Sequence, residues 1–470
     1  MKKYAILYSF LPLVFCLLFI SCKKDSFITS TDARLSLSAD TLKYDTVFTS
    51  TGSVTQSFKI LNDNNQKLRL GRIRLMGGTA SAYKMNVNGT ATIEANNVEI
   101  DANDSIYVFI SVTINPNSAN LPFIVADSIL INYNGNNRYV QLQAYGQNAN
   151  FLRNRVITGN QVWPNNLPYV ILGSLRIDTT ASLTISPGCR IYSHADAPFI
   201  VDGTLIINGT KTDSVVFAGD RLDPDYKDLP AGWPGIYFRG SSKNNVLKYA
   251  IIRNAYQAVV TEKPSPNANP KLVLHQCIID NAYDAGIICV NSSLEADNCL
   301  VSNCGSNISI SYGGNYNLTH CTVAAFSTSY IFHKTPVLSV SNFANQNGSV
   351  VTATLNAVFR NCIFWGDNGF IDDEISVSKL GSNTFSVLFE NNLYRAAVAD
   401  PGNSVLSGNI KNAYPAFDSI DVYKRIFNFR TTKNAAAPGI NKGILTAFLK
   451  DLDDRNRNNG LPDLGCYEKQ

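Results

Sequence analysis

The stretch "LHQCIIDNA", residues 274–282, sets Leu274, Cys277, Ile279 and Asn281 at regular intervals. A like phrase returns as "DNCLVSNC" at 297–304 and as "THCTVAAF" at 319–326. Aligned on Cys277, the rows "LKYAIIRNA", "LHQCIIDNA", "ADNCLVSNC", "LTHCTVAAF", "FRNCIFWGD" and "FENNLYRAA" fall into register at Ala250, Cys277, Cys299, Cys321, Cys362 and Asn392. The steps are 27, 22, 22, 41 and 30 residues. Recurrence near twenty residues marks a solenoid. The 41-residue step reads as one turn with an excursion around "KTPVLSVSNFANQNG", or as two irregular turns.

Strand side chains alternate between faces. Three residues before the aligned position stand Leu247, Leu274, Ala296, Leu318, Phe359 and Phe389, and two after it Ile252, Ile279, Val301, Val323, Phe364 and Tyr394. These point into a cylinder. Lys248, His275, Asp297, Arg360 and Glu390 point out. Stacked coils lie roughly 4.8 Å apart, so like residues form ladders. Cys277, Cys299 and Cys321 form an inward file of small soft groups. Asn254, Asn281 and Asn303 form an Asn ladder at a turn, each amide bonding to the coils above and below. The fold class is all-β: an N-terminal β-sandwich, then a right-handed single-stranded parallel β-helix.

The first 22 residues read as a targeting segment. Lys2 and Lys3 precede the 17-residue apolar run "YAILYSFLPLVFCLLFI", and Ser21–Cys22 follows. Residues 23–33 form a tether. From 34 to 148, short alternating runs such as "SVTQSFKIL", "DSIYVFISVTI" and "RYVQLQAYG" sit between turn clusters, which suits a sandwich. Residues 149–470 carry the solenoid. Hydrophobic residues make up 45% of the 470, and the net charge of +4 is spread without a basic stripe. That argues against a nucleic-acid partner.

Three resemblances add to this. Ser21–Cys22 after its apolar run resembles the lipobox of bacterial lipoproteins, which implies cleavage before Cys22, lipidation of Cys22, and membrane attachment through the lipid. Phe19 departs from the usual Leu. The localisation implied is a lipid-anchored outer-membrane protein, facing the periplasm or the cell surface. The order "IDANDS", "IYVFISV", "NPNSA", "DSILINY", "VQLQAYG" resembles immunoglobulin-like domains of the abnormal-spindle/hydin type. Residues from about 150 look like β-helix proteins of the pectate-lyase-like superfamily. There "GWPGIYF" at 232–238 precedes "LKYAIIRNA", and "PDLGCYE" at 462–468 is similar to the closing phrase of choice-of-anchor-Q-type proteins. A solenoid needs its last open coil covered, so that phrase reads as the cap.

Chemistry is sparse. β-Helix enzymes of that superfamily use a Lys or Arg base with carboxylate-held Ca²⁺, or paired carboxylates. The best acidic cluster is "GDRLDPDYKD", with Asp220, Asp223, Asp225 and Asp228 beside Arg221 and Lys227. It reads as a Ca²⁺ site, a glycan groove wall, or a solvated loop. Trp233 beside it could stack on a sugar, as could Trp163 and Trp365, or all three could pack in the coil core. Asp451, Asp453 and Asp454 approximate a calcium loop within the cap, and "IDDE" at 371–374 reads as surface. After Cys16 and Cys22, eight cysteines remain, expected as free buried thiols. Two functions stand against each other, with a purely structural or adhesive stalk as a third. One is a lipid-anchored envelope protein that binds a polysaccharide or protein without catalysis. The other is a polysaccharide lyase or glycoside hydrolase acting in a β-helix groove.

Overall fold

In a computed structural model, the structure describes residues 26–48, 52–115, 123–367, 370–431, 433, 436–457 and 460–469. The apolar leader and Cys22 lie outside these residues. The chain divides into two compact units, Met1–Asn148 and Ala149–Gln470. Among the described residues there is no α-helix.

The first unit is a sandwich of two five-stranded sheets. One runs in the order Leu35–Leu37, Gln56–Asn62, Ser105–Val112, Tyr83–Val87, Thr90–Ala91. The other runs Thr41–Phe48, Asn136–Gln147, Phe123–Tyr133, Leu68–Leu75, Glu94–Ile100. Alternation drives the packing: in Ser105–Val112, Ile106, Val108, Ile110 and Val112 are buried. Two tyrosines stitch the sheets together, Tyr44 donating to the Ile110 carbonyl at 2.6 Å and Tyr83 to that of Val125 at 2.8 Å. The expected tether differs. Ile28 donates to the Lys67 carbonyl at 2.8 Å and Phe27 lies under Arg69, so this part of it is docked.

The second unit is a parallel β-helix of 26 connected strands, Asn150–Ile157 to Ile410–Lys411. Three sheets form its walls. Sheet one includes Ala250–Arg253, Ile278–Asp280, Leu300–Ser302, Thr322–Ala325 and Ile363–Gly366. Sheet two includes Gln257–Glu262, the first part of Ala285–Asp297, and Leu338–Ser341. Sheet three includes Leu272–His275, the second part of Ala285–Asp297, and Leu355–Arg360.

Ile251 pairs with Ile278, Ile278 with Leu300, Leu300 with Thr322, Thr322 with Ile363, and Ile363 with Leu393. The preceding residues, Ala250, Cys277, Cys299, Cys321, Cys362 and Asn392, therefore stand in one file. Cys299 Sγ accepts from the Cys277 amide at 3.4 Å, and Cys362 Sγ from that of Cys321 at 3.4 Å. The eight described cysteines are free and buried.

The corner before this file has a backbone cause. Tyr249, Gln276, Asn298, His320, Asn361 and Asn391 all have φ between 47° and 54°. This left-handed conformation turns the chain sharply from sheet three into sheet one, and Asn tolerates it better than most side chains. Asn254, Asn281 and Asn303 repeat the device at the next corner, with φ of 60°, 56° and 52°. Their amide ladder is shorter than expected. Asn281 donates to Asn254 Oδ1 at 2.8 Å, but Asn303 turns to Asp280 at 3.5 Å.

The 41-residue step is a single turn, since Thr322 pairs directly with Ile363. Within "KTPVLSVSNF", Leu338–Ser341 is regular strand of sheet two. The excursions are the loop before Leu338 and the hairpin Phe343–Gln346/Ser349–Thr352.

The closing segment does not sit over the last coil. It runs back along the flank of sheet one as a strap. Gly465 donates to the Asn361 carbonyl at 2.8 Å, Cys466 to Thr322 Oγ1 at 3.0 Å and Arg457 to Asn298 at 2.9 Å, while Asp451 accepts from Gln276 at 2.9 Å. Leu452, Leu464 and Tyr467 bury the outward Leu300, Ile363 and Leu393. Gly465 (φ +82°) is required here, because a Cβ would lie 2.5 Å from Thr322 Oγ1 and 2.8 Å from Ile363 Cδ1.

Within the strap, Asp453 meets Arg430 at 2.6 Å, just after the hairpin Ser419–Asp421/Ile426–Asn428 that the strap contains, and it pins the strap to Lys211 of the coils. Burial alone would raise its pKa, but hydrogen bonds from Arg430 and Lys211 overcome this and hold it at about 2. A carboxyl depressed on folding adds stability that is complete above its unfolded value and is lost as pH falls through the folded one. Asp453→Asn should therefore destabilise the chain by about 1–3 kcal/mol at pH 7. That deficit should shrink between about pH 4 and pH 2, as read by urea unfolding across pH.

Candidate functional site

Sheet three carries a shallow groove of about 670 Å³. Its floor is built by register. Outward Ser293 pairs with Asn315, and Asn315 with Asn356. Two residues further along each strand, Glu295 pairs with Asn317 and Asn317 with Val358. Asn356 donates to Asn315 Oδ1 at 3.1 Å, so the amides form a row like those at the corners. One wall is the loop 264–270, in which Asn267 and Asn269 both donate to Asn244 Oδ1 at 2.9 Å. The other is Ala353–Thr354, at the foot of the hairpin. Gly314 (φ +114°) keeps the floor low, since a Cβ there would sit 2.2 Å from the Ser292 carbonyl. Tyr316 points inward below it and donates to the Gly313 carbonyl at 2.8 Å.

Glu295 is the one carboxylate among the described lining residues. Next along its strand, Asp297 binds His275 of the neighbouring coil. That hydrogen bond raises the His275 pKa against the opposing effect of burial. The groove thus offers amide donors and acceptors, hydroxyls and one carboxylate, in rows spaced as sheet strands are, roughly 4.8 Å apart.

The acidic loop is arranged differently from a cation cradle. Asp220 meets His194 Nδ1 at 2.8 Å, and burial raises its pKa despite that partner. Asp223 meets Arg221 at 2.9 Å. Asp225 and Asp228 are exposed. Among the described residues, no three His, Cys, Asp or Glu side chains gather so as to hold a metal ion.

Of the two uses expected for it, Trp233 takes the core and not the sugar platform. It is 1% exposed, stacks with Phe217 at 6.4 Å and donates to the Arg253 carbonyl at 2.9 Å. Trp163 and Trp365 are buried too. Glu374 of "IDDE" is likewise interior. It meets His333 at 3.0 Å and Arg395 at 3.3 Å, fastening the loop before Leu338. Asp228, Asn254, Asn281 and Asn303 do come together, at a second cleft beneath the strap. The groove on sheet three held no place among the expected residues. Its signal was "NYN" at 315–317 and Asn356, alternate outward positions that read simply as exposed.

No family model matches the sequence, and no curated protein does. Several solved structures show some likeness, among them two glycoside hydrolases. One is a family 123 glycoside hydrolase from Clostridium perfringens, at 11% identity and a TM-score of 0.18, over 25% of this chain and 30% of that one. The chain therefore spans under a third of that structure. The other is the catalytic unit of a thermostable GH87 α-1,3-glucanase from Streptomyces thermodiastaticus strain HF3-3. It has 10% identity and a TM-score of 0.23, over 76% of this chain and 89% of that one. Likeness this low leaves the site to be read from its own geometry.

Trp233→Ala should cost about 3–5 kcal/mol of stability through the cavity it leaves. Urea unfolding of the variant beside the unsubstituted chain measures that loss.

Proposed function

We propose that this is a lipid-anchored cell-envelope protein whose β-helix binds a polysaccharide on sheet three without catalysis. The observation that carries this reading is the groove floor, where Ser293, Asn315 and Asn356 repeat in register under polar walls. A polysaccharide presents hydroxyls at regular intervals, and a row of amides and hydroxyls matches donors to acceptors along it. The walls at 264–270 and 353–354 confine a chain laterally. Cys22 would supply the membrane attachment, aided by a second acyl chain. The sandwich, read as immunoglobulin-like, would act as a spacer.

The alternative is a polysaccharide lyase or glycoside hydrolase. One observation favours it: Glu295 lies in the groove with the His275–Asp297 pair two residues along. Hydrolysis by the usual scheme takes two carboxyl groups flanking the scissile bond, with roles set by their separation.

The test is affinity electrophoresis of the full chain through gels containing neutral and uronate polysaccharides. Parallel assays would follow reducing ends and unsaturated product, with and without Ca²⁺. Retardation by at least one polysaccharide without turnover is expected. Asn315→Ala/Asn356→Ala should weaken it at least tenfold. Turnover abolished by Glu295→Gln would replace the binding reading with the enzymatic one.

A further inference from the structure

The strap contains a hairpin, Ser419–Asp421 with Ile426–Asn428, whose turn carries Lys424 and Arg425. That turn roofs a cleft of about 330 Å³ over the outer corner of sheet one. Arg253, Asp280 and Asn281 form the floor, and Asp228 stands at the edge.

The cations are held in different ways. Arg425 Nη2 donates to the Asp228 backbone carbonyl at 2.6 Å, and its guanidinium lies 5.3 Å from the Tyr330 ring centre. Its plane is thereby fixed, with further N–H groups left over. Arg253 ends the strand Ala250–Arg253 with its side chain exposed. Among the described residues, that side chain has no hydrogen bond or ion pair. Lys424 lies 3.6 Å from Asp421 and remains exposed.

Among the described residues no carboxylate makes an ion pair with either guanidinium, although Asp280 attracts both through charge. Asp280 Oδ1 accepts from Ser302 at 2.6 Å and from Asn303 at 3.5 Å. Burial raises the Asp280 pKa, while hydrogen bonds from Ser302 and Asn303 and the charges of Arg425 and Arg253 act to lower it. Asp228 gives its backbone, not its carboxylate, to Arg425. Asn281 donates to Asn254 and to the Asp228 carbonyl, which orients its amide.

We propose that this cleft binds a compact oxyanion, a carboxylate, sulfate or phosphate, between Arg253 and Arg425. Guanidinium groups match the planar or tetrahedral oxygens of such anions through paired hydrogen bonds. Lys424 adds a point charge at the mouth. The site is separate from the groove on sheet three and does not depend on what that groove binds. It joins the strap to the coils, so an anion there would also tie the hairpin down.

Isothermal titration calorimetry of the full chain tests this, with inorganic phosphate, sodium sulfate, glucuronate and, as a neutral control, glucose. At least one oxyanion should bind with a Kd below about 10 mM, and glucose should give no heat. Arg253→Ala should weaken binding at least tenfold, since it removes one of the two guanidinium groups without breaking a side-chain hydrogen bond of the fold. Arg425→Ala should do the same and also speed proteolysis of the hairpin, an effect the oxyanion should slow in the unsubstituted chain. Asn315→Ala/Asn356→Ala should leave it unchanged. Binding of phosphate or sulfate but not glucuronate assigns a free inorganic ion, and the reverse assigns an acidic sugar. Absence of binding by every oxyanion up to about 10 mM, or binding indifferent to Arg253→Ala, overturns the proposal.

Discussion

Parallel hydrogen bonding of each coil to the next, at a separation of roughly 4.8 Å, is the constraint on which the second unit depends. Once a coil is bonded to its neighbour, every side chain belongs to a row. An inward row must pack against itself, so Phe359 stacks on Phe389 at 4.8 Å, while the file from Cys277 to Cys362 is small and soft. A corner row must adopt positive φ on coil after coil, so Asn recurs at 298, 361 and 391. An outward row is free to carry chemistry, and on sheet three it carries Ser293, Asn315 and Asn356.

The strap decides which outward rows stay open. Sheet one is apolar on its outer face at Leu300, Ile363 and Leu393, and these must be covered. The strap supplies the cover and leaves sheet three in water. A buried pair, Arg457 with Glu468 at 3.0 Å, holds the closing phrase together, and Arg457 also donates to the Gly465 carbonyl at 2.9 Å. The phrase thus works as a lateral clamp on several coils. Its Gly, Asp and Glu are explained by contacts with Asn361, Thr322 and each other, not by closure of an open end.

How far the sequence could be read depends on how each feature is encoded. Rows were legible because residues with the same backbone role look alike, as at Cys277, Cys299 and Cys321. The strap was hidden because its partners lie up to 242 positions away, as with Lys211 and Asp453. A trace of it was present all the same. In "CII", "CLV" and "CIFW" both faces of sheet one are apolar, which signals cover on both sides. Trp233 left two readings open, and Glu374 read as surface, for a related reason: residue type suggests exposure or chemistry, while burial is set by a coil that the local sequence does not contain. The cleft beneath the strap gathers Asp228, Asn281 and Arg425, three residues that no local spacing joins.

The most direct test of the winding places nitroxide labels on Asn315→Cys and Asn356→Cys, 41 residues apart in sequence but in register on adjacent coils. The eight described native cysteines are buried, and the unsubstituted chain gives the labelling background. With backbones roughly 4.8 Å apart, the doubly labelled chain should show a strongly broadened electron paramagnetic resonance spectrum. A spectrum equal to the sum of the two singly labelled chains would contradict the coil-on-coil register, and with it the groove.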